Sequence, residues 1–396
     1  MKTAAEIFHQ HIAQTTPFAI GLEIERAEGS WLFGPNGEKY LDLISGVGVS
    51  NLGHGHPKIK AAIHEQVELH LHTMVYGEFI QSAPNRLASR LNSILPSSLN
   101  CSYFVNSGAE SIEGALKLAK RYTGRSEIIS FRGAYHGSTH GALSVSGNET
   151  KKRAFRPLLP DVRFIRFNEP EDLAQISNKT AAVIVETIQG DAGVRIPDYD
   201  YMQALRARCT ELGVLLILDE IQSGIGRCGT WFAFEQFDIV PDILCTAKAL
   251  GGGLPIGAFI SDQKIMQCLT EKPMLGHITT FGGNPLACAS AEACLAVIEE
   301  ENLLEEVEPK GALIESLLAD ESKILEIRRR GMYFAIDLAS ADQVMDLAGR
   351  LLKRGLITFW FLSCPHSFRI APPLNISEED LRYACKLIKE ELAKIA

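Results

Sequence analysis

The chain of 396 residues has no CxxC pair, no HExxH or comparable histidine spacing, no low-complexity tract and no internal repeat. Its nine cysteines (101, 209, 228, 245, 268, 288, 294, 364 and 385) form an odd, scattered set. That usage argues against a disulfide framework and for reduced thiols packed as small apolar residues, so a cytoplasmic home is expected. Without ligand spacing among the eleven histidines, no metal site is expected either. No apolar run reaches the roughly 18 residues of a membrane span, and MKTAAEIFHQHIAQ lacks the basic start and apolar core of a secretory signal. A basic surplus is also missing: the formal net charge of −9 leaves no electrostatic footprint for nucleic acid or an anionic membrane.

What is present is ordinary for a globular protein, with 46% hydrophobic and 22% charged residues. The length suits two or three domains, or one large core with a smaller appendage. Short apolar segments alternate with helix-length ones through the middle of the chain: SYFVN (102–106), EIISF (127–131), VRFIRF (162–167), AAVIVE (181–186), LLILDE (215–220) and DILCTA (242–247). A helix is expected from about Glu110 to Tyr122. This pattern predicts an α/β fold on a largely parallel sheet, with the ligand beyond the carboxyl ends of the strands. A long helical stretch from about Leu286 through Leu318 leads to RRRGMYFAIDL (328–338), read as strand after its glycine. Ser377 caps a final helix with Leu381, Ala384, Ile388 and Leu392 on one face. WLFGPNGEKYLDL (31–43) reads as a hairpin. We expect residues 1–50 to pack with a small domain formed by 296–396, and 51–295 to form the large domain.

Within LLILDEIQSGIGRCG (215–229), four aliphatic residues run directly into Asp219 and Glu220. A continuous apolar run is a strand buried on both faces, and a carboxylate at its end is costly unless a cation or hydrogen bonds receive it. In NSGAESIEGALKLAKRY (106–122), Ser107, Gly108 and Ala109 open a helix whose free N–H groups could hold a phosphate, although Ser107 and Glu110 are equally a plain capping box. In FRGAYHGSTHG (131–141), Tyr135 and His136 could be core residues or offer a flat ring to a planar ligand. Lys248 follows a strand and precedes Gly251-Gly252-Gly253. Alone it is a solvated lysine. Beside a desolvated carboxylate it could lose its proton and attack a carbonyl to give a Schiff base. Together, lysine, carboxylate, aromatic ring and phosphate loop point to pyridoxal phosphate, with Asp219 awaiting a pyridinium nitrogen.

The motifs NSGAE, YHG, VETIQGDAGV, LILDEIQSGIGRCG, PDILCTAKALGGGLPIGA, TTFGGNP and FRIAPPL, in this order, resemble the class III aminotransferases, the ornithine, acetylornithine and ω-amino-acid group. The resemblance implies the fold type I architecture of pyridoxal-phosphate (PLP) enzymes and a homodimer with shared active sites. It implies that Lys248 anchors the cofactor and moves the substrate proton, Asp219 pairs with the ring nitrogen, Gln222 with the phenolic oxygen, and Tyr135 stacks on the ring. Ser107, Gly108 and Ala109 would hold the phosphate with Thr280 of the partner subunit, and Glu186 would orient Gln222 or the substrate. Arg369 matches an arginine that binds an α-carboxylate, and Asp191 stands where ornithine-type members have a glutamate that pairs with it. Two departures concern the substrate: Ser138 replaces an arginine that grips carboxylates in many relatives, and Val47 replaces a tyrosine of ornithine aminotransferases. The expected reaction moves an amino group from an amino acid or ω-amino compound to 2-oxoglutarate or pyruvate. A racemase, aminomutase or decarboxylase on the same scaffold is the alternative, and a non-enzymatic protein is disfavoured because Lys248 and Asp219 are both present.

Overall fold

The computed structural model describes residues 2–395. Its centre is a seven-stranded sheet in the order Cys101–Val105, Gly257–Ser261, Ile243–Thr246, Leu215–Asp219, Thr180–Glu186, Glu127–Phe131, Val162–Ile165. All neighbouring pairs are parallel except the two made by Gly257–Ser261, which runs antiparallel to both of its partners. The apolar segments are strands because both of their faces are covered. Ala182, Ile184, Ile217 and Ile243 join one hydrophobic cluster with the helix Gly108–Thr123. Val183, Val185, Leu216, Leu218 and Leu244 point the other way into a second, larger cluster. Two-sided burial removes the polar alternation of a half-exposed strand.

Strand Gly257–Ser261 was not anticipated. Gly251, Gly252, Gly253 and Pro255 punctuate the chain just before it and mask five buried residues as loop. The stretch 286–318 is two helices, Pro285–Glu300 and Leu303–Leu318, separated where Asn302 turns left-handed at φ 52°. The segment after Arg328 is a hairpin, Glu326–Arg330 with Tyr333–Asp337, reversing at Gly331. It belongs to a four-stranded sheet with Ser367–Ile370 and Phe359–Trp360. The expected amino-terminal hairpin pairs Trp31–Phe33 with Lys39–Asp42, and the latter strand also pairs in parallel with Leu356–Ile357. Ser377 caps the last helix, Glu378–Leu392, its Oγ accepting the Asp380 N–H at 3.0 Å.

Every strand of the large sheet but one ends at the same edge, so residues 106–109, 132–138, 186–191, 219–223 and 247–248 converge there. Arg227 ties this edge to distant chain. It is fully buried, donates to the carbonyls of Met332 (3.1 Å) and Pro372 (2.6 Å) and to Asn51 Oδ1 (2.5 Å), and burial pulls it down to about 10. Replacing it would leave two carbonyls and an amide oxygen unsatisfied in the interior. Arg227→Leu is therefore expected to destabilise the fold by about 3 kcal/mol. The shift of the urea midpoint at unchanged m-value measures it; a loss under about 0.5 kcal/mol would show that the span has other support.

Candidate active site

At the converging strand ends lies a pocket of about 450 Å³. Asp219 and Glu220, the two carboxylates that follow the apolar run, are received in different ways. Glu220 turns away from the pocket and accepts the N–H groups of Phe234 (2.8 Å) and Ala233 (3.1 Å) and the hydroxyl of Ser223 (2.5 Å). Full burial still raises it to about 7. Asp219 turns into the pocket wall, where Oδ2 meets His136 Nδ1 at 2.7 Å and Oδ1 accepts the Ile221 N–H at 3.0 Å. His136 is itself buried and held through its N–H by Ser146 Oγ at 3.0 Å. The carboxylate is thus fixed from two sides while remaining part of the cavity lining.

Lys248 enters from the neighbouring strand end. Its backbone lies in the left-handed region (φ 45°), a conformation that costs a non-glycine residue energy and is tolerated where surroundings impose it. Its Nζ donates to Gln222 Oε1. Burial pulls the ammonium down to about 8, with Asp219 opposing that shift. The Gln222 Nε2 is buried and has no partner among the described residues. Tyr135 stands 42% exposed, its ring open to the pocket and its hydroxyl 3.4 Å from Ser138 Oγ. Gly108 and Ala109 line the cavity at the start of their sixteen-residue helix. Ser107 caps that helix, Oγ accepting the Glu110 N–H at 3.2 Å, while Glu110 reaches back to the Asn106 N–H at 2.6 Å. A Cβ at position 108 would come within 2.9 Å of Ile221, so glycine is what lets the helix start approach the cavity floor.

Glu186 lines the cavity as well. It is bound by the N–H groups of Tyr135 (3.0 Å) and Gly190 (3.1 Å), not by Gln222, because it stands in register with Asp219 on the adjacent strand and its carboxylate faces the loops. Burial first, and then the nearby Asp219, push it well above the usual carboxylate range. Thr280 is exposed and outside the pocket of this chain, and Ser107 lies just behind the lining. The remaining expected residues, Val47, Ser138, Asp191 and Arg369, do reach the pocket. Val47 arrives on a left-handed turn, with φ positive at Ser45, Gly46, Val47 and Gly48, strained for a β-branched side chain. Arg369 is buried with its guanidinium 4.3 Å from the centre of the Phe361 ring and 4.0 Å from Asp191.

Sequence reasoning missed Tyr333, Leu362, Ile188 and Ile221, which also line the cavity. Nothing in YFAID or FLS marks Tyr333 and Leu362 as pocket-facing, since only the folded chain brings them to the large sheet, whereas Ile188 and Ile221 lie two residues beyond Glu186 and Asp219 in motifs already singled out. A Cβ on residue 190 would fall 2.1 Å from the Tyr333 hydroxyl, so Tyr333 in its place leaves room only for glycine there.

The buried carboxylate, the buried amine near neutrality, the unpartnered amide donor and the open helix terminus fit the ring nitrogen, aldehyde, phenolic oxygen and phosphate of PLP. Residues 13–392 match the family described as Aminotransferase class-III. This chain belongs to the class III aminotransferases and is a PLP-dependent transaminase. It is 40% identical over 369 residues to the acetylornithine aminotransferase of Methanopyrus kandleri, covering 92% of each chain. It is 39% identical over 388 residues to the putrescine aminotransferase of Pectobacterium atrosepticum, covering 93% of this chain and 82% of that one. Similar solved structures include a transaminase from the marine bacterium Virgibacillus (TM-score 0.92, 26% identity, 98% of both chains). An ornithine aminotransferase from Toxoplasma gondii, described with partial occupancy of PLP at its active site, matches with TM-score 0.90 and 30% identity over 98% of this chain and 93% of that one.

The Gly190–Tyr333 contact is testable in this transaminase. Gly190→Ala is expected to destabilise the fold by about 1–3 kcal/mol through overpacking and to cut turnover. Adding Tyr333→Phe, which removes the clashing oxygen, should recover most of both losses. Thermal melts and steady-state rates of the single and double variants check this, and additive losses would overturn it.

Proposed function

We propose that Lys248 anchors the cofactor, that Asp219 keeps the ring nitrogen protonated, and that Arg369 receives the substrate carboxylate. The amino group would pass from an amino acid or ω-amino compound to an oxo acid, 2-oxoglutarate or pyruvate. One observation carries this reading: a half-buried lysine and a buried carboxylate, each tethered by a neighbouring side chain, face one cavity. Bound there, PLP supplies an electron sink and a carrier for the amino group.

The chain's own residues divide the work. Lys248 Nζ, with its proton affinity near neutrality, takes a proton from the substrate carbon and returns it. Asp219, oriented by His136, has little freedom to turn away from the ring. Gln222 offers its free Nε2 to the phenolic oxygen, and the helix start at Gly108 and Ala109 offers N–H groups to the phosphate. Tyr135 supplies the flat face, and Glu186 fixes the Tyr135 and Gly190 loops around it. Val47, Leu362 and Ile188 make the substrate's side of the cavity apolar, while Ser138 leaves it without a second cation, which supports a donor with an apolar or modestly polar body.

A second copy of the chain would complete the site. Ile80 (94% exposed), Met274 (78%), Phe79, Leu275, Ile278 and Phe281 are large apolar side chains left in water on the stretches 79–80 and 274–281, which meet where Phe79 and Thr279 line one groove. That supports a homodimer in which Thr280 reaches the partner's phosphate site. The nine free cysteines support a cytoplasmic location, and no helix among the described residues is long and apolar enough to cross a membrane.

Three experiments test the central assignment. Because burial favours the neutral amine, Lys248 loses its proton as pH rises through about 8. Capture of PLP by the apoenzyme should therefore rise with pH and level off there, not climb toward the ordinary lysine range near ~10.4. Borohydride reduction followed by peptide mapping should place the phosphopyridoxyl group on Lys248; label on another lysine sinks the assignment. Asp219→Asn should fold and retain some cofactor yet lose about a thousandfold or more in rate. A variant within about tenfold of the native rate would mean that another group tunes the ring.

A further inference from the structure

The expected pairing of Asp191 with Arg369 is a weak one in this chain, and the reason is visible. Both oxygens of Asp191 are engaged elsewhere. Oδ1 accepts the N–H of Leu362 at 3.0 Å and Oδ2 accepts the hydroxyl of Ser363 at 2.7 Å, while the nearest Arg369 nitrogen is 4.0 Å away. Ser363 Oγ also accepts from Asn148 Nδ2 at 2.9 Å, so the same short segment is tied to the chain that follows the Tyr135 loop.

That segment, 361–364, touches the substrate side of the cavity twice. Leu362 lines it, 47% exposed. Phe361 is fully buried and puts its ring face under the Arg369 guanidinium at 4.3 Å. Arg369 Nε has no partner among the described residues, so stacking on Phe361 is a main restraint on where the guanidinium stands. Asp191 comes from the large sheet's edge, whereas Phe361, Leu362 and Arg369 come from the carboxyl-terminal sheet.

We infer that Asp191 is a positioning residue that fastens segment 361–364 to the large-sheet edge, and through it sets Leu362 and Arg369 against the substrate. It acts as a clasp rather than as a counter-ion that switches on and off. Arg369 is then left standing free for a carboxylate in both half-reactions. A substrate without a carboxylate at that point has to leave an unpaired buried guanidinium, so the inference favours donors that carry an α-carboxylate over simple diamines. It rests on the proposed role of Arg369 in the transaminase.

The clasp and the counter-ion predict opposite outcomes. Asp191→Ala should raise KM for the oxo-acid acceptor by about tenfold or more while kcat changes much less, because the binding group is misplaced and the proton-transfer groups are not. Ser363→Ala should shift KM in the same direction by a smaller factor. Asp191→Asn keeps an oxygen for the Leu362 N–H and an amide that can donate to Ser363 Oγ, so it should recover most of the loss despite removing the charge. An unaltered or lowered acceptor KM in Asp191→Ala, or an asparagine variant as damaged as the alanine one, would overturn the clasp. An activity-independent measurement separates its failure from that of the transaminase reading. Trp360 adjoins the segment and is one of three tryptophans. In a Trp31→Phe, Trp231→Phe background of the holoenzyme, Asp191→Ala should increase acrylamide quenching of Trp360 and Asp191→Asn should not. Equal quenching in all three proteins would likewise overturn it.

Discussion

The structure depends on a single electrostatic constraint: several ionisable groups are held out of water at the carboxyl edge of an apolar sheet. Asp219, Glu220, Glu186 and Lys248 all sit at strand ends that are buried on both faces. Each would be expelled or neutralised without local partners, and each has them. Backbone N–H groups receive Glu220 and Glu186, a histidine and an N–H receive Asp219, and an amide receives Lys248. The donors belong to the loops that leave the strands, so solvating the charges also shapes the cavity. The cost of desolvation and the order of the loops are the same problem, solved together.

The second requirement is that segments far apart in the chain meet this edge. Val47 comes from the amino-terminal turn, Tyr333 from a hairpin and Arg369 from a late strand. Parallel pairing of Lys39–Asp42 with Leu356–Ile357 joins the two ends of the chain, and Arg227 pins both to the loop below Asp219. The groups proposed to face the cofactor come from one sheet and those proposed to face the substrate largely from elsewhere, so on that reading a change of substrate leaves the cofactor's residues untouched.

Much of this was legible in the residues alone because the decisive signals are local. LLILD, AAVIVE, EIISF and DILCTA announce two-sided burial, and the lysine, carboxylate and glycine-rich turns fall right at their ends. Four hydrophobic residues followed by two acids is so unfavourable a pattern that it demands partners, which the structure supplies as His136, Ser223 and backbone N–H groups. The strand Gly257–Ser261 was hidden because its entry glycines and proline are stronger local signals than five small or apolar residues. The break at Asn302 was hidden because asparagine is neutral until its φ is known. Tyr333 and Leu362 were out of reach for a different reason: their roles come from tertiary approach, which no spacing within YFAID or FLS encodes. The tie between Asp191 and Ser363 spans more than 170 residues, and its partners look like ordinary loop polar groups.

The antiparallel strand Gly257–Ser261 has a consequence for the order in which the molecule can be made. Among the described residues, it alone connects Cys101–Val105 to the rest of the sheet. The helix start at Gly108 therefore waits for a strand that emerges from the ribosome some 150 residues later. Arg369 arrives later still. Contacts of such long sequence separation are slow to form, so a nascent chain can carry Lys248 and Asp219 without any cavity between them. A ligand that binds only the finished arrangement stabilises it by mass action. Cofactor retention in this enzyme thus reports completed folding as well as chemistry, and cells short of the cofactor would be expected to hold less of the protein as well as less of its activity.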